Sequence, residues 1–326
     1  MKKGIFTISL DFELYWGIRD KKTVEEYGAN VIGVWEVVPK LLALFSQYQI
    51  HATWATVGAM MSKNKEEYIT YCPSVKPDYL DANLSPYHQF SQNLDKIDDR
   101  LVYGDQLVKM VSNYPYQEIG THTFSHYYAL EEGQNKESFI SDIEAAKSIA
   151  ESKSIKIETL IFPRHQLNEE YIAALPALGI HIIRGTESIW YHSAARGEDE
   201  RIVKRAVRFA DYYFPMFSNH CQDLSEVKKG TIYQIRASRW FRPFNEKWKH
   251  LDFLKLKRIK SQMKYAAQKG KIFHLWFHPH DIGIHQKENF DQLIEIFEYY
   301  LFLQKKYGMI SRNMVEIRDL VDGKGN

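Results

Sequence analysis

Gly4-Ile5-Phe6-Thr7-Ile8-Ser9-Leu10-Asp11-Phe12-Glu13 is a run of apolar and β-branched residues that stops at two acids. Such a run is expected of a strand buried on both faces, the habit of parallel sheets covered by helices. Asp11 and Glu13 share one side of the extended chain, with Phe12 pointing the other way. A charged pair at the end of an apolar strand is costly unless something satisfies it. Two nearby carboxylates can divide a task, one holding a cation and the other accepting a proton. Helix-capping or salt-bridged acids are the plainer alternative.

Working outward, strand and helix signals alternate. His51 to Val57 reads as a second strand, Glu118-Ile119-Gly120 as a third and Glu158 to Phe162 as a fourth. His181 to Arg184, Gly230 to Arg236, Lys271 to Phe277 and a short Met314 to Ile317 follow. Helical spacing is expected over Val34 to Tyr48, Gln106 to Tyr114, Ser138 to Lys153, Glu169 to Leu178, Phe253 to Gln268 and Phe290 to Lys306. This alternation predicts an α/β fold, a parallel sheet with crossover helices closed into a barrel. One domain spanning 1–326 is expected, with irregular insertions at about 62–100 and 185–245.

Bulk properties narrow the function. The 326 residues carry a net charge of +2, which leaves no nucleic-acid footprint. Cys72 and Cys221 are far apart, so no disulfide framework is expected and a reducing compartment fits. Met1-Lys2-Lys3 looks like a signal n-region, but its apolar run ends at Asp11. No stretch reaches the roughly 18 apolar residues of a membrane span. The expectation is a cytoplasmic protein without an integral membrane segment; the oligomeric state is not legible. The 21 Tyr and 7 Trp suit sugar faces as readily as cores.

The groups that can do chemistry fall just past predicted strand ends: Asp11 and Glu13, His122 and His126, Arg164, then His278, His280 and Asp281. Parallel α/β folds place their sites at that edge. His122 and His126 can aim at one point if the segment between them turns like a helix. Two imidazoles and a carboxylate are a frequent three-ligand set that leaves a position open for water. Hydrogen-bonded loop histidines are the bland alternative. His274 and His278 repeat the spacing within a strand, where they lie too far apart for one ion. His278 directly follows its strand and is favoured over His280 as a general acid. The reading is a metal-dependent hydrolase.

With these residues in view, the chain resembles the polysaccharide deacetylase superfamily, the NodB-homology or carbohydrate esterase family 4 group. Ser9 to Glu13 is similar to its first motif, Ala52 to Gly58 to its second strand, and Glu118 to His126 to its two-histidine motif. Phe162-Pro163-Arg164 sits at the third motif and His278 at the last. Two departures stand out: Glu13 is spaced one residue from Asp11, where the common form has adjacent acids, and Pro163 precedes Arg164, where the common form is Arg-x-Pro.

The resemblance implies a distorted (β/α)7-type barrel and removal of an N-acetyl or related acyl group from a sugar or glycan precursor. Metal-bound water would be the nucleophile. It assigns Asp11 as base, Arg164 as its orienter and His278 as acid. Glu13, His122 and His126 would hold a divalent metal, zinc first. Alternatives are hydrolysis of a formamide or cyclic ureide, or a non-catalytic glycan-binding pseudo-deacetylase. A glycosidase fits less well, because residues two apart on one strand face a sugar from one side rather than flank its bond.

Overall fold

The computed structural model describes residues 2–186, 202–214 and 219–324. Ten strands are present among the described residues: β1 (Ile5–Phe12), β2 (Ala52–Thr56), β3 (Gln117–Thr121), β4 (Thr159–Leu160), β5 (Ile182–Gly185), β6 (Lys228–Lys229), β7 (Ile232–Arg236), β8 (Arg239–Trp240), β9 (Ile272–Phe277) and β10 (Ile310–Ser311). β1 to β5 pair in order, all parallel. β7 continues almost directly into β8. The first pairs with β5 and the second with β9, and β9 returns to β1. Ala237 N–H to Gly185 O and Ser238 N–H to His274 O span the junction. The ring therefore closes as a (β/α)7-type barrel of β1, β2, β3, β4, β5, β7–β8 and β9.

β1 is buried along its whole length, as its apolar run requires. Phe6, Ile8, Leu10 and Phe12 join the core under the helices, whereas Ile5 joins a second cluster inside the barrel. The alternate positions Ser9 and Asp11 bond to Arg184, also inside. Helix Val24–Tyr48 starts ten residues earlier than its spacing indicates, because Thr23 and Glu26 form a capping box. That helix is long and apolar enough to cross a membrane, but Val31, Val34, Val38, Leu41 and Phe45 are buried against the barrel. It has the character of a core helix.

The last expected strand, Met314 to Ile317, is instead a helix, Met314–Val321. Asn313 and Glu316 form a capping box there, which outweighs the β-branched residues. Met314 and Ile317 plug the barrel's N-terminal end against Ile5, Ile182 and Ile272. The segment 62–100 contains the short helices Lys65–Tyr71, Gln89–Gln92 and Asp99–Val102. Tyr68 and Phe90 from it pack on Trp16, ring centroids 5.2 and 5.0 Å away. Of the segment 185–245, residues 187–201 and 215–218 lie outside the described residues. The rest includes helix Ile202–Tyr213 and the strands β6 to β8.

Candidate active site

Strand register assembles the site. Leu10 is level with Phe277, so Asp11 comes level with His278 at the C-terminal edge. Phe12 is level with Thr56, and Thr56 with Thr121, which brings Glu13 beside His122. Leu160 is level with both Thr121 and Ile183, so His122, Ile161 and Arg184 follow at one height.

Glu13 lies at the start of a tight turn, Leu14–Gly17, with Leu14 in the left-handed region at φ 46°. The turn folds Gly17 over the carboxylate: a Cβ there would stand 2.0 Å from Glu13 Cδ. Trp16 anchors the turn by donating its indole N–H to Val102 O at 2.7 Å.

His122 and His126 do not sit on a helical turn. Thr123 and His126 both adopt positive φ, 66° and 58°, and the loop bends twice. Asp142, fully buried on helix Lys136–Ser152, holds the bend: it accepts from Phe124 N–H at 2.6 Å and from the Ser125 hydroxyl at 2.5 Å. Burial outweighs these bonds and pushes Asp142 up to about 6.

Glu13 Oε2 lies 2.9 Å from His126 Nε2 and 3.4 Å from His122 Nε2. It nevertheless makes no hydrogen bond. His122 Nδ1–H donates to Ile161 O at 2.8 Å, which leaves the Nε2 lone pair facing Glu13. The three ligand atoms lie within 4.8 Å of one another, and all three residues are buried. Two imidazole Nε2 atoms converging on a carboxylate oxygen, with His126 Nδ1 and Glu13 Oε2 otherwise unpartnered, fit a divalent cation. Nitrogen and carboxylate ligands favour zinc-like ions over magnesium or calcium. Burial pulls His126 down to about 4, so it is neutral and able to coordinate at neutral pH.

Asp11 is gripped by Arg184, Nη1 to Oδ1 at 2.6 Å and Nη2 to Oδ2 at 2.7 Å. Burial opposes its charge, but the guanidinium prevails and holds Asp11 well below the carboxylate range. Arg184 also donates to Ser9 Oγ and stacks on Trp276, 4.6 Å from the ring centre. Ser9 Oγ in turn meets His274 Nε2 at 2.8 Å.

Arg164, expected to orient Asp11, is elsewhere. After Pro163 its backbone turns left-handed at φ 52°. Its guanidinium pairs with Asp20 and lies over Tyr128. Both Asp11 oxygens are already bonded by Arg184, a residue that sequence reading had placed only as the end of a strand. An arginine ending an apolar strand whose core position demands a partner was the available signal.

His278 Nδ1–H donates to Asp281 at 2.8 Å, and Asp281 also accepts from Trp240 Nε1–H at 3.2 Å. His278 Nε2 points back to Glu13 Oε1 at 3.6 Å and Asp11 Oδ2 at 3.8 Å. Burial opposes its charge, but Asp281 and Glu13 together raise it to about 10. Its side chain is 23% exposed, unlike the buried Glu13, His122 and His126. His280 is buried, its Nε2 3.0 Å from Glu13 Oε1.

A family model described as polysaccharide deacetylase matches residues 32–183. That range contains His122 and His126 but not Asp11, Glu13, Arg184 or His278. No curated protein matches the chain. Among solved structures, it is similar to a putative polysaccharide deacetylase from Mycobacterium smegmatis, with 10% identity, TM-score 0.62 and coverage of 99% of this chain and 92% of that one. A 4-alpha-glucanotransferase from Thermococcus litoralis is similar with TM-score 0.53 at 11% identity, covering 98% of this chain and 40% of that one. A GH57-type branching enzyme from Pyrococcus horikoshii gives 0.51 at 12% identity, covering 99% and 71%. At such identities the likeness is one of fold.

Proposed function

We propose that this chain, which is related to the polysaccharide deacetylase superfamily of NodB and carbohydrate esterase family 4 type, is a cation-dependent amidohydrolase that removes the acetyl group of an N-acetylated sugar. The observation that carries this reading is the convergence of Glu13 Oε2, His122 Nε2 and His126 Nε2 beside Asp11 and His278. Glu13, His122 and His126 would hold the cation. When bound, it would supply Lewis-acid polarisation of the acyl oxygen and make the attacking water more acidic.

The chain's own groups do the rest. Asp11, ionised and fixed by Arg184, accepts the proton of the attacking water at a carboxylate oxygen. His278, protonated at neutral pH, gives its Nε2 proton to the departing amine, and Asp281 stabilises the imidazolium that donates it. Trp240, half-buried beside Asp281, offers a flat ring of the kind that stacks on sugar faces.

The test is acetate release from N-acetylated amino sugars by protein loaded with zinc, run beside Asp11→Asn and His126→Ala. The expected result is turnover in the wild type, metal without turnover in Asp11→Asn, and neither in His126→Ala. Formate release in place of acetate would move the substrate to a formamide. Metal retained by His126→Ala would remove the site.

A further inference from the structure

The Glu13 carboxylate has a second set of neighbours that this mechanism uses only in part. Oε2 faces His122 and His126, whereas Oε1 faces His280 Nε2 at 3.0 Å and His278 Nε2 at 3.6 Å. Glu13, His278 and His280 also bring their ligand atoms within 4.8 Å of one another. We propose that Oε1, His278 and His280 form a second cation site, bridged to the first through Glu13, and that filling it silences His278 as proton donor.

Both imidazoles are built to present Nε2. His278 Nδ1 is held by Asp281 at 2.8 Å, and His280 Nδ1 by the Tyr27 hydroxyl at 3.2 Å. Partners on the far nitrogen of each ring are the usual way of orienting metal-binding histidines. The backbone enforces the placement. Helix Val24–Tyr48 meets the turn Pro279–Ile282 at a crossing of Gly33 and Gly283, where a Cβ on Gly33 would lie 2.1 Å from Gly283 O. That approach lets Asn30 donate to His280 O at 3.3 Å and lets the Tyr27 ring meet the imidazole edge-on.

The ligand set of two imidazoles and a carboxylate selects zinc, copper or nickel rather than magnesium or calcium. Filling should be weaker than at the first site. Arg184 already neutralises Asp11, and one carboxylate must serve two dications, so Asp281 is the main uncompensated charge left. A cation bound at His278 Nε2 takes the lone pair that carries the donated proton, and that proton leaves to solvent. The silencing half rests on the donor role read for His278 above.

Equilibrium dialysis of the full chain against rising free zinc, with metal counted by elemental analysis, tests the site without any assay. The expected result is one zinc per chain first and a second at higher zinc, with acetate release falling as the second step fills. His280→Gln keeps a donor for Glu13 but loses the imidazole, and should stop at one zinc and escape the inhibition. Wild type loaded with copper(II) should show magnetic coupling between two ions by electron paramagnetic resonance, which decides the matter should His280→Gln fail to fold. Saturation at one zinc in wild type, or two in His280→Gln, overturns the second site and leaves the donor role standing. Two zincs with undiminished turnover overturn the silencing and the donor role together.

Discussion

Arg184 and Asp11 form a two-pronged ion pair inside the barrel, with both carboxylate oxygens bonded at 2.6 and 2.7 Å and neither residue reached by solvent to more than a few per cent. A planar guanidinium can satisfy two oxygens at once, whereas an ammonium cannot. Arg184→Lys should therefore leave Asp11 ionised but loosely aimed, with turnover lowered about 10²–10⁴-fold, the scale of a general base's contribution. Metal content should be unchanged. Arg164→Met removes only the contacts to Asp20 and Tyr128 and should leave turnover near wild type. Steady-state kinetics on both variants, with metal analysis, separates the two arginines; the reverse ranking would return the orienting role to Arg164.

Gly17 is needed for space. Its Cα lies against the Glu13 carboxyl, and an added methyl would stand 2.0 Å from Cδ and 2.1 Å from Oε2. All three atoms met belong to the tip of the Glu13 side chain, so the carboxylate must swing away from His122 and His126 to make room. Gly17→Ala should fold, because the turn can move outward, but should lose its cation. Elemental analysis with a thermal melt checks this. Full zinc content in the variant would show that Glu13 is not held by the turn.

Asp142 ties site geometry to pH. Its folded value of about 6 lies above the ordinary 3.8, with burial as the largest cause. A raised acid favours the folded state when protonated. The stabilisation is thus present below pH 4 and is lost as pH rises through 6. The full effect is about 3 kcal/mol for a two-unit shift. Urea unfolding of wild type and Asp142→Asn across pH 4 to 7 should give a difference curve that falls for wild type over that window. A flat difference would mean that Asp142 is ionised throughout.

The barrel was legible because parallel strands buried on both faces announce themselves in composition, and β1, β2 and β9 are such runs. That Glu13, His122 and His126 would meet was legible because each follows a strand end. Three things were not. The His122–His126 bend depends on two left-handed residues and on Asp142, whose pairing with Phe124 and Ser125 is a tertiary fact. The exchange of Arg164 for Arg184 follows from register across β3, β4 and β5, which no single segment reveals. The helix Met314–Val321 reads as a strand by its residue types and is decided by the Asn313–Glu316 cap.

His278 carries the last prediction. Its Nε2 faces the two carboxylates that end β1, its side chain is partly exposed, and Asp281 fixes the ring through Nδ1. Asp281 favours the protonated form of His278, and Nε2 stands apart from the Glu13 Oε2 side that faces His122 and His126, so its role is to give a proton away and not to bind the first cation. His278→Gln should keep the first zinc, since Glu13, His122 and His126 are untouched, and lose about 10²–10⁴-fold in turnover. The loss should shrink for substrates whose leaving group needs no proton, such as an activated aryl acetate. Comparing an N-acetyl sugar with such an ester reads this directly. An equal loss on both would assign His278 to positioning, and full activity on both would leave proton donation to another group.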